Sequence, residues 1–161
     1  MIQIVPASLE PFSGEETFAA PPAVVFGGLT DLQAVAAAMP GLVSSQKVDE
    51  RTVKALVRPA FSFMSGQVRV TLTLVEAQPP DSALMRVAAQ SIGVSMNIES
   101  RLSLSPLDDG RATRLAWESR VYDMKGLISA VPAGLVRAAA QKVIADGWKA
   151  LRVRIERLDA K

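Results

Sequence analysis

The period of the apolar residues changes once along this chain, and that change constrains the fold more than any single motif. Across residues 42–123, apolar and polar side chains alternate with a period of two, as in strands with one buried face. Residues 94–104 alternate most regularly. Their apolar face holds Val94, Met96, Ile98, Leu102 and Leu104, and their polar face holds Ser95, Asn97, Glu99, Arg101 and Ser103.

After Gly126 the period becomes about 3.6 residues, which predicts one long amphipathic helix. Its apolar stripe is formed by Ile144, Trp148, Leu151, Ile155 and Leu158, and is extended backwards by Val136, Ala140 and Val143. Proline fits the first turn of a helix and disrupts its interior. The helix is therefore predicted either to start near Pro132 or to be kinked there.

The N-terminal part predicts a strand followed by two short helices. Residues 9–20 form the strand, with Phe12, Gly14, Glu16 and Phe18 on one side. Pro21 and Pro22 end it and start a helix over 23–29. An alanine-rich helix follows within residues 30–42; Thr30 and Gln33 are predicted to form its capping box, and the Met-Pro-Gly run 39–41 ends it. Turn signals at 78–81, 91–93 and 108–110 divide the alternating region, and 59–66 is a predicted bend or hairpin.

This order predicts an α+β protein with a helix-grip architecture: a curved antiparallel sheet of six to seven strands wrapped on one long C-terminal helix. A single helix across a curved sheet leaves a pocket between them. We expect the alanine-rich helix to pack closely at the sheet's edge, supporting the long helix without filling that pocket. The chain is interpreted as a single domain, residues 1–161, with 1–8 as a flexible extension.

The residue types that are missing limit the chemistry. The chain has no cysteine and no histidine, so it lacks a thiol nucleophile, an imidazole base and the usual zinc, copper or haem ligands. The acids or bases left for catalysis are Glu16, Glu99, Glu118 and Tyr122, and alternation places Glu99 and Glu118 on wet faces. We therefore expect no enzyme, no metal and no cofactor. The N-terminus lacks a signal-peptide pattern, and a cytoplasmic protein is predicted.

The charge is distributed unevenly. Residues 1–124 contain 10 basic and 13 acidic side chains, whereas residues 125–161 contain 8 basic and 3 acidic ones. The long helix therefore presents a basic face, and its predicted contact residues are Arg137, Lys142, Lys149 and Arg152. Such a face suits an acidic protein or the inner face of an anionic membrane. The alternative is an ordinary solvated helix face, and nothing in the pattern indicates nucleic acid binding.

Several segments together resemble the family of the carbon monoxide dehydrogenase G protein, CoxG. They are the run SGEETFAAPPAVVFGGLTDLQAVAAAMPGL over residues 13–42, the PPD turn at 79–81, the TRLAW strand at 113–117 and Lys125-Gly126 before the long helix. That family belongs to the helix-grip superfamily (SRPBCC) that includes START lipid-transfer domains. The resemblance implies a cavity for a lipophilic small molecule, such as a lipid or quinone, and an accessory role to a molybdenum hydroxylase of the CO dehydrogenase type.

On this interpretation the ligand-binding residues are Phe18, Phe61, Phe63, Met64, Val70, Leu72, Met85, Met96, Ile98, Trp117, Ser119, Leu135 and Val136. Most of them suit an ordinary core equally well. Three functions stay open. They are a carrier of a lipophilic ligand, an assembly or membrane-recruitment factor acting through the basic helix, and a cyclase- or hydrolase-like enzyme. Glu16 either faces the pocket or reaches water at a strand end, and the second alternative is favoured.

Overall fold

The computed structural model describes residues 11–58, 66–126 and 132–159. Seven strands and three α-helices follow one another in the order that the sequence predicts. They are β1 (Phe12–Phe18), α1 (Pro22–Thr30), α2 (Leu32–Ala37), β2 (Leu42–Asp49), β3 (Thr52–Val57), β4 (Val68–Gln78), β5 (Ser82–Ser91), β6 (Val94–Leu107), β7 (Ala112–Gly126) and α3 (Ala133–Asp159). The predicted bend at 59–66 falls almost wholly on residues outside the described ranges.

The strands form one antiparallel sheet in the order β1-β7-β6-β5-β4-β3-β2. From β2 to β7 each strand pairs with the next one along the chain, and β1 closes the order by pairing with β7. Together with the long helix and the two short helices after β1, this curved sheet confirms the predicted fold class.

The inner face of the sheet carries the core, because the period-two alternation aligns apolar residues across strands. One such row runs from β7 to β3 and consists of Val121, Ile98, Val87, Leu72 and Val53. Leu72 and Val53 are almost completely buried, whereas Ile98 and Val87 are only half-buried. The inner face is thus closed over β3 and β4 and less well covered over β5 and β6.

The two short helices pack at the closed end, and two predictions about them are wrong. Asp31, not Thr30, is the N-cap of α2 and accepts a hydrogen bond from the Ala34 N–H at 3.2 Å. The Thr30 hydroxyl instead donates to the Phe26 carbonyl in α1. The long helix is approached more closely by α1 than by the alanine-rich α2. Gly28 of α1 allows this approach, since a Cβ there would lie 2.5 Å from Ile155 Cγ1.

Helix α3 begins directly after Pro132, as one of the two predicted alternatives requires, and runs alongside β1. Polar contacts hold its C-terminal half to β1. Arg152 forms an ion pair with Glu16 and donates to the Thr17 carbonyl at 3.1 Å, and the Glu156 carboxylate accepts from the Ala19 N–H at 2.7 Å. These contacts occupy the edge of β1 that no strand in the described ranges covers.

The opposite edge of the sheet is irregular. In the described part of the chain β2 pairs with β3 alone, and its register shifts at two places. Val43 and Val48 are the extra residues at these bulges and are 50% and 52% exposed. Bulges disrupt the ladder at an exposed edge, so β2 offers a poor template for another strand.

Candidate functional site

A half-buried apolar surface lines the open side of the grip, between β5–β7 and the first half of α3. We call it the inner-face patch. It consists of Val87, Ala89, Val94, Met96, Ile98, Trp117 and Met124 on the sheet and Ala140, Ile144 and Trp148 on the helix. The α3 backbone approaches α1, α2 and β1 more closely than the strands β4–β6, so side chains span the space between helix and sheet. Apolar surface left half-covered in a concave position is typical of small-molecule sites.

Aromatic rings form one wall of the site. The Trp117 and Trp148 rings lie 5.8 Å apart, centroid to centroid, and the Phe18 ring meets Trp148 edge-on at 6.4 Å. The Trp117 indole lies directly over Gly14 of β1, where a Cβ would be 2.9 Å from Trp117 Cζ2. Its indole N–H is buried and has no acceptor among the described residues. Gly14 therefore fixes the position of the wall.

Two serines lie in the middle of the sheet's inner face. Ser100 of β6 and Ser119 of β7 are directly opposite each other, and their hydroxyl oxygens are 2.7 Å apart. Both residues are half-buried. Across the sheet they continue a row that has Phe12 on one side and Met85 and Leu74 on the other. We call Ser100 and Ser119 the hydroxyl pair.

A bulge on β7 decides which residues complete the patch. Ile98 pairs with Val121 and Asn97 with Asp123, so Tyr122 is the extra residue. The shift brings Met124 opposite Met96 on the inner face. Strict alternation would have pointed Asp123 inward. Instead its carboxylate accepts a hydrogen bond from the Asn97 amide at 3.2 Å, on the outer face.

The predicted ligand-binding residues occupy different environments. Phe18, Val70, Leu72, Met85 and Val136 are buried in the core, while Met96, Ile98, Trp117 and Ser119 face the half-covered space. Leu135 is 57% exposed. Phe61, Phe63 and Met64 lie outside the described residues.

Sequence reasoning missed several residues that the structure brings to the site. Ser100 is the most informative of them, because it occupies an inward position between Ile98 and Leu102 and its signal is visible in the alternation of β6. Val87, Ala89, Ala140 and Ile144 carry the same kind of signal. Met124 does not, since only the bulge at Tyr122 turns it inward.

The charged residues that the sequence singled out are mostly engaged. Glu16 lies in the middle of β1 and pairs with Arg152, so the favoured expectation that it reaches water at a strand end is wrong. Arg152 itself is only 33% exposed, which removes it from the open basic face. The Arg137 guanidinium stacks 4.4 Å above the Phe12 ring, and Lys142 pairs with Asp146 at 3.2 Å. Lys149 is exposed.

The candidate acids and bases other than Glu16 lie away from the patch. Glu99 and Glu118 are on the outer face, where they pair with Arg86 and Arg120. Tyr122 is 47% exposed at the bulge. Within the described ranges no three His, Cys, Asp or Glu residues come together as a metal site would require. No helix in those ranges is long and apolar enough to cross a membrane.

The outer face of the sheet has an open depression of about 460 Å³. It is lined by Ser13, Gly14, Glu15, Arg101, Ser103, Ala116, Trp117 and Glu118. Most of the side chains that point into it are charged or hydroxylated. It therefore lacks the apolar lining that a lipophilic ligand requires.

The curved sheet gripping one long helix, with an apolar space between them, defines a START-like helix-grip protein. Three solved structures share this fold. A conserved protein from Geobacillus kaustophilus has a TM-score of 0.81 and 18% identity, covering 91% of this chain and 95% of that one. A START superfamily protein from Mycobacterium smegmatis has 0.68 and 17%, covering 92% and 98%. A Rhodobacter sphaeroides protein has 0.62 and 19%, covering 97% and 98%.

The particular family follows from the sequence. The family model for CoxG, the G protein of carbon monoxide dehydrogenase, matches residues 14–156. The chain belongs to the CoxG family, as the resemblance in its N-terminal third predicts. No protein of curated function matches the sequence.

Proposed function

We propose that this protein binds a lipophilic small molecule against the inner-face patch and acts as a non-catalytic carrier. The observation that carries the proposal is the half-buried apolar surface on β5–β7, which faces α3 where the helix backbone stands away from the central strands. Apolar side chains that a fold leaves half-covered in a concavity gain free energy when a lipophilic molecule covers them. The aliphatic lining and the two indoles suit a lipid or a quinone-like molecule.

A direct test is titration with diphenylhexatriene, a hydrocarbon dye that fluoresces in apolar surroundings. We expect saturable binding near one dye per chain. Native mass spectrometry of freshly purified protein, followed by solvent extraction, would identify a ligand that co-purifies. A protein that neither retains lipophilic material nor binds the dye would contradict the proposal.

A matched pair of variants on α3 tests the location. Ala140 is half-buried in the patch, whereas Ala138 is exposed on the same helix. Ala140→Trp fills the space, and we expect it to weaken dye binding by about tenfold or more, because the added ring competes for the apolar surface. Ala138→Trp adds the same ring outside the site and leaves the affinity unchanged. Equal effects of the two variants would place the dye elsewhere.

Membership of the CoxG family supports a second part of the proposal, an accessory role to a molybdenum hydroxylase of the CO dehydrogenase type. The carrier would deliver its ligand to that enzyme or assist its assembly. Co-purification of the tagged protein with hydroxylase subunits from cells expressing both is the test. Loss of this association at high salt would assign it to charged surfaces.

A second candidate function is recruitment through the outer face of α3. Lys149, Arg154 and Arg157 are exposed there and have no acidic partner among the described residues. This face suits an acidic protein surface or the anionic inner face of a membrane. The variant Lys149→Glu combined with Arg154→Glu is expected to abolish salt-sensitive binding to anionic vesicles. Lys54→Glu, a charge reversal on the exposed side of β3, is the control.

A further inference from the structure

We infer that the hydroxyl pair, Ser100 and Ser119, anchors the buried end of the ligand, and that this end is an uncharged oxygen-bearing group such as an alcohol or a carbonyl. The inference rests on the proposed function and specifies the class of ligand that the inner-face patch accepts. It starts from a local contrast: two hydroxyls 2.7 Å apart in an otherwise apolar part of the sheet.

The surroundings of the hydroxyl pair are apolar in every direction along the inner face. Its neighbours along and across the strands are Phe12, Met85, Ile98, Leu102, Trp117 and Val121. Each of these side chains is larger than serine. The two serines therefore form a low point in the apolar surface, where an atom of a bound molecule can approach the sheet more closely than elsewhere.

The hydrogen bonds of the pair are incomplete. One hydroxyl donates to the other, which uses one of the two protons, and neither oxygen has a further partner within the described ranges. A ligand that covered these hydroxyls with hydrocarbon alone would desolvate a donor without replacing its hydrogen bond, which is unfavourable. A ligand oxygen at the same place accepts the remaining proton. An alcohol can in addition donate to a serine lone pair.

The charges near the site favour an uncharged head group. No acidic or basic side chain occupies the inward positions of β6 from Val94 to Leu104 or of β7 from Thr113 to Met124. The nearby cations on α3 are both engaged, Arg152 with the Glu16 carboxylate and Arg137 over the Phe12 ring. A carboxylate or ammonium buried at the hydroxyl pair would lose its hydration without gaining a counter-ion.

The test is displacement of diphenylhexatriene by decanol, decanone and decanoate, which share a chain length and differ in the head group. Ser100→Ala and Ser119→Ala remove one hydroxyl each, and Ser103→Ala removes a hydroxyl from the outer face of the same strand β6. In the native protein, decanol and decanone should displace the dye at lower concentrations than decanoate. Either variant of the pair should raise the decanol and decanone concentrations needed by about fivefold, as the loss of one neutral hydrogen bond predicts.

The affinity for the dye separates this effect from a change in packing. Diphenylhexatriene has no hydrogen-bonding atom, so both pair variants should bind it as the native protein does, and Ser103→Ala should change nothing. Equal weakening of dye and decanol, or no weakening of decanol, would overturn the inference. Tighter binding of decanoate that is lost in Arg137→Gln would overturn the uncharged head. If the native protein does not bind the dye, the proposed carrier function fails and the inference falls with it.

Discussion

At the scale of single residues, Gly14 controls the aromatic wall of the site. The Trp117 indole occupies the place that a side chain at Gly14 would take, and it holds Trp148 of α3 at 5.8 Å. A residue on the edge strand thus sets the position of a ring that faces the long helix. The missing Cβ matters here for the space that it leaves, since the Gly14 backbone lies in a regular strand.

We expect Gly14→Ala to displace the Trp117 indole and to destabilise the protein by about 1–3 kcal/mol, because the new methyl group overfills a close contact. Urea unfolding gives the free energy, and a shift in tryptophan emission reports the ring movement. Ser13→Ala, which alters the exposed neighbour of Gly14, should change the stability by less than about 0.5 kcal/mol. A neutral Gly14→Ala would show that Trp117 has another position of equal energy.

Residue-scale detail was only partly predictable from the sequence. Ser119 could be placed on the inner face by alternation, but its partner Ser100 becomes meaningful only when the strand register sets the two hydroxyls side by side. The helix cap shows a different limit. Thr30 and Asp31 are both good N-cap residues, and the one-residue choice depends on where α1 ends, which a local pattern does not fix.

At the scale of elements, α3 is held unevenly. Its C-terminal half contains the buried Leu151 and Ile155 and the polar contacts of Arg152 and Glu156 with β1 and the residue after it. In its first half Val136 is buried, and the other described side chains there are half-buried or exposed. One end of the helix is therefore part of the core, and the other end lies over the candidate site.

The contact between α1 and α3 gives a sharp prediction, because two adjacent glycines of α1 differ in their surroundings. A Cβ at Gly28 would overlap Ile155, whereas a Cβ at Gly27 would meet nothing within 4 Å. Gly28→Ala is expected to destabilise by about 1–3 kcal/mol through overpacking. Gly27→Ala should stabilise by about 0.5–1 kcal/mol through helix propensity. Urea unfolding of the two variants tests this, and effects of the same sign would contradict the packing described.

The ion pair between Glu16 and Arg152 is a second element-scale test. The side chains are 23% and 33% exposed, whereas those of the surface pair Asp146 and Lys142 are 45% and 75% exposed. A double-mutant cycle with Glu16→Gln and Arg152→Gln should give a coupling free energy of about 1–2 kcal/mol, discounted for partial solvation. The same cycle with Asp146→Asn and Lys142→Gln should give about 0.3–0.5 kcal/mol. Equal couplings would mean that the pair does not hold α3 to β1.

The elements themselves were largely predictable, and the exceptions have physical causes. Alternation located the strands, and the apolar stripe located α3, because burial of one face dictates both periods. The bulge at Tyr122 was not predictable from period alone, since it inserts one residue without a glycine or proline to mark it. That bulge exchanged Asp123 for Met124 on the inner face, so the composition of the site depends on a detail that the pattern does not contain.

At the scale of the whole molecule, the uneven packing of α3 predicts uneven local stability. Amides of residues 134–146 should exchange with deuterium at least about tenfold faster than those of 149–158, because local opening there disrupts fewer buried contacts. Saturation with diphenylhexatriene should slow exchange mainly in the first segment. Hydrogen exchange followed by mass spectrometry measures both. Uniform protection along α3 in the absence of ligand would contradict this account.

The order of elements was sufficient to predict the architecture, since a long antiparallel sheet with one apolar face and one amphipathic helix have few ways to cover each other. The position of the site was not. Val87 and Leu72 lie side by side in one row of the sheet, yet one is half-buried and the other fully buried. This difference arises from the path of α3 across the assembled sheet, and no local pattern encodes it.

Both borders of the sheet are closed to further strands, although by different means. Side chains of α3 occupy hydrogen-bonding groups at one border, and two bulges with exposed valines interrupt the other. Neighbouring copies of this chain consequently find no regular ladder to extend. A protein with this much apolar surface can therefore be crowded in solution and still remain dispersed, and can release a greasy cargo without its emptied sheet becoming the seed of an aggregate.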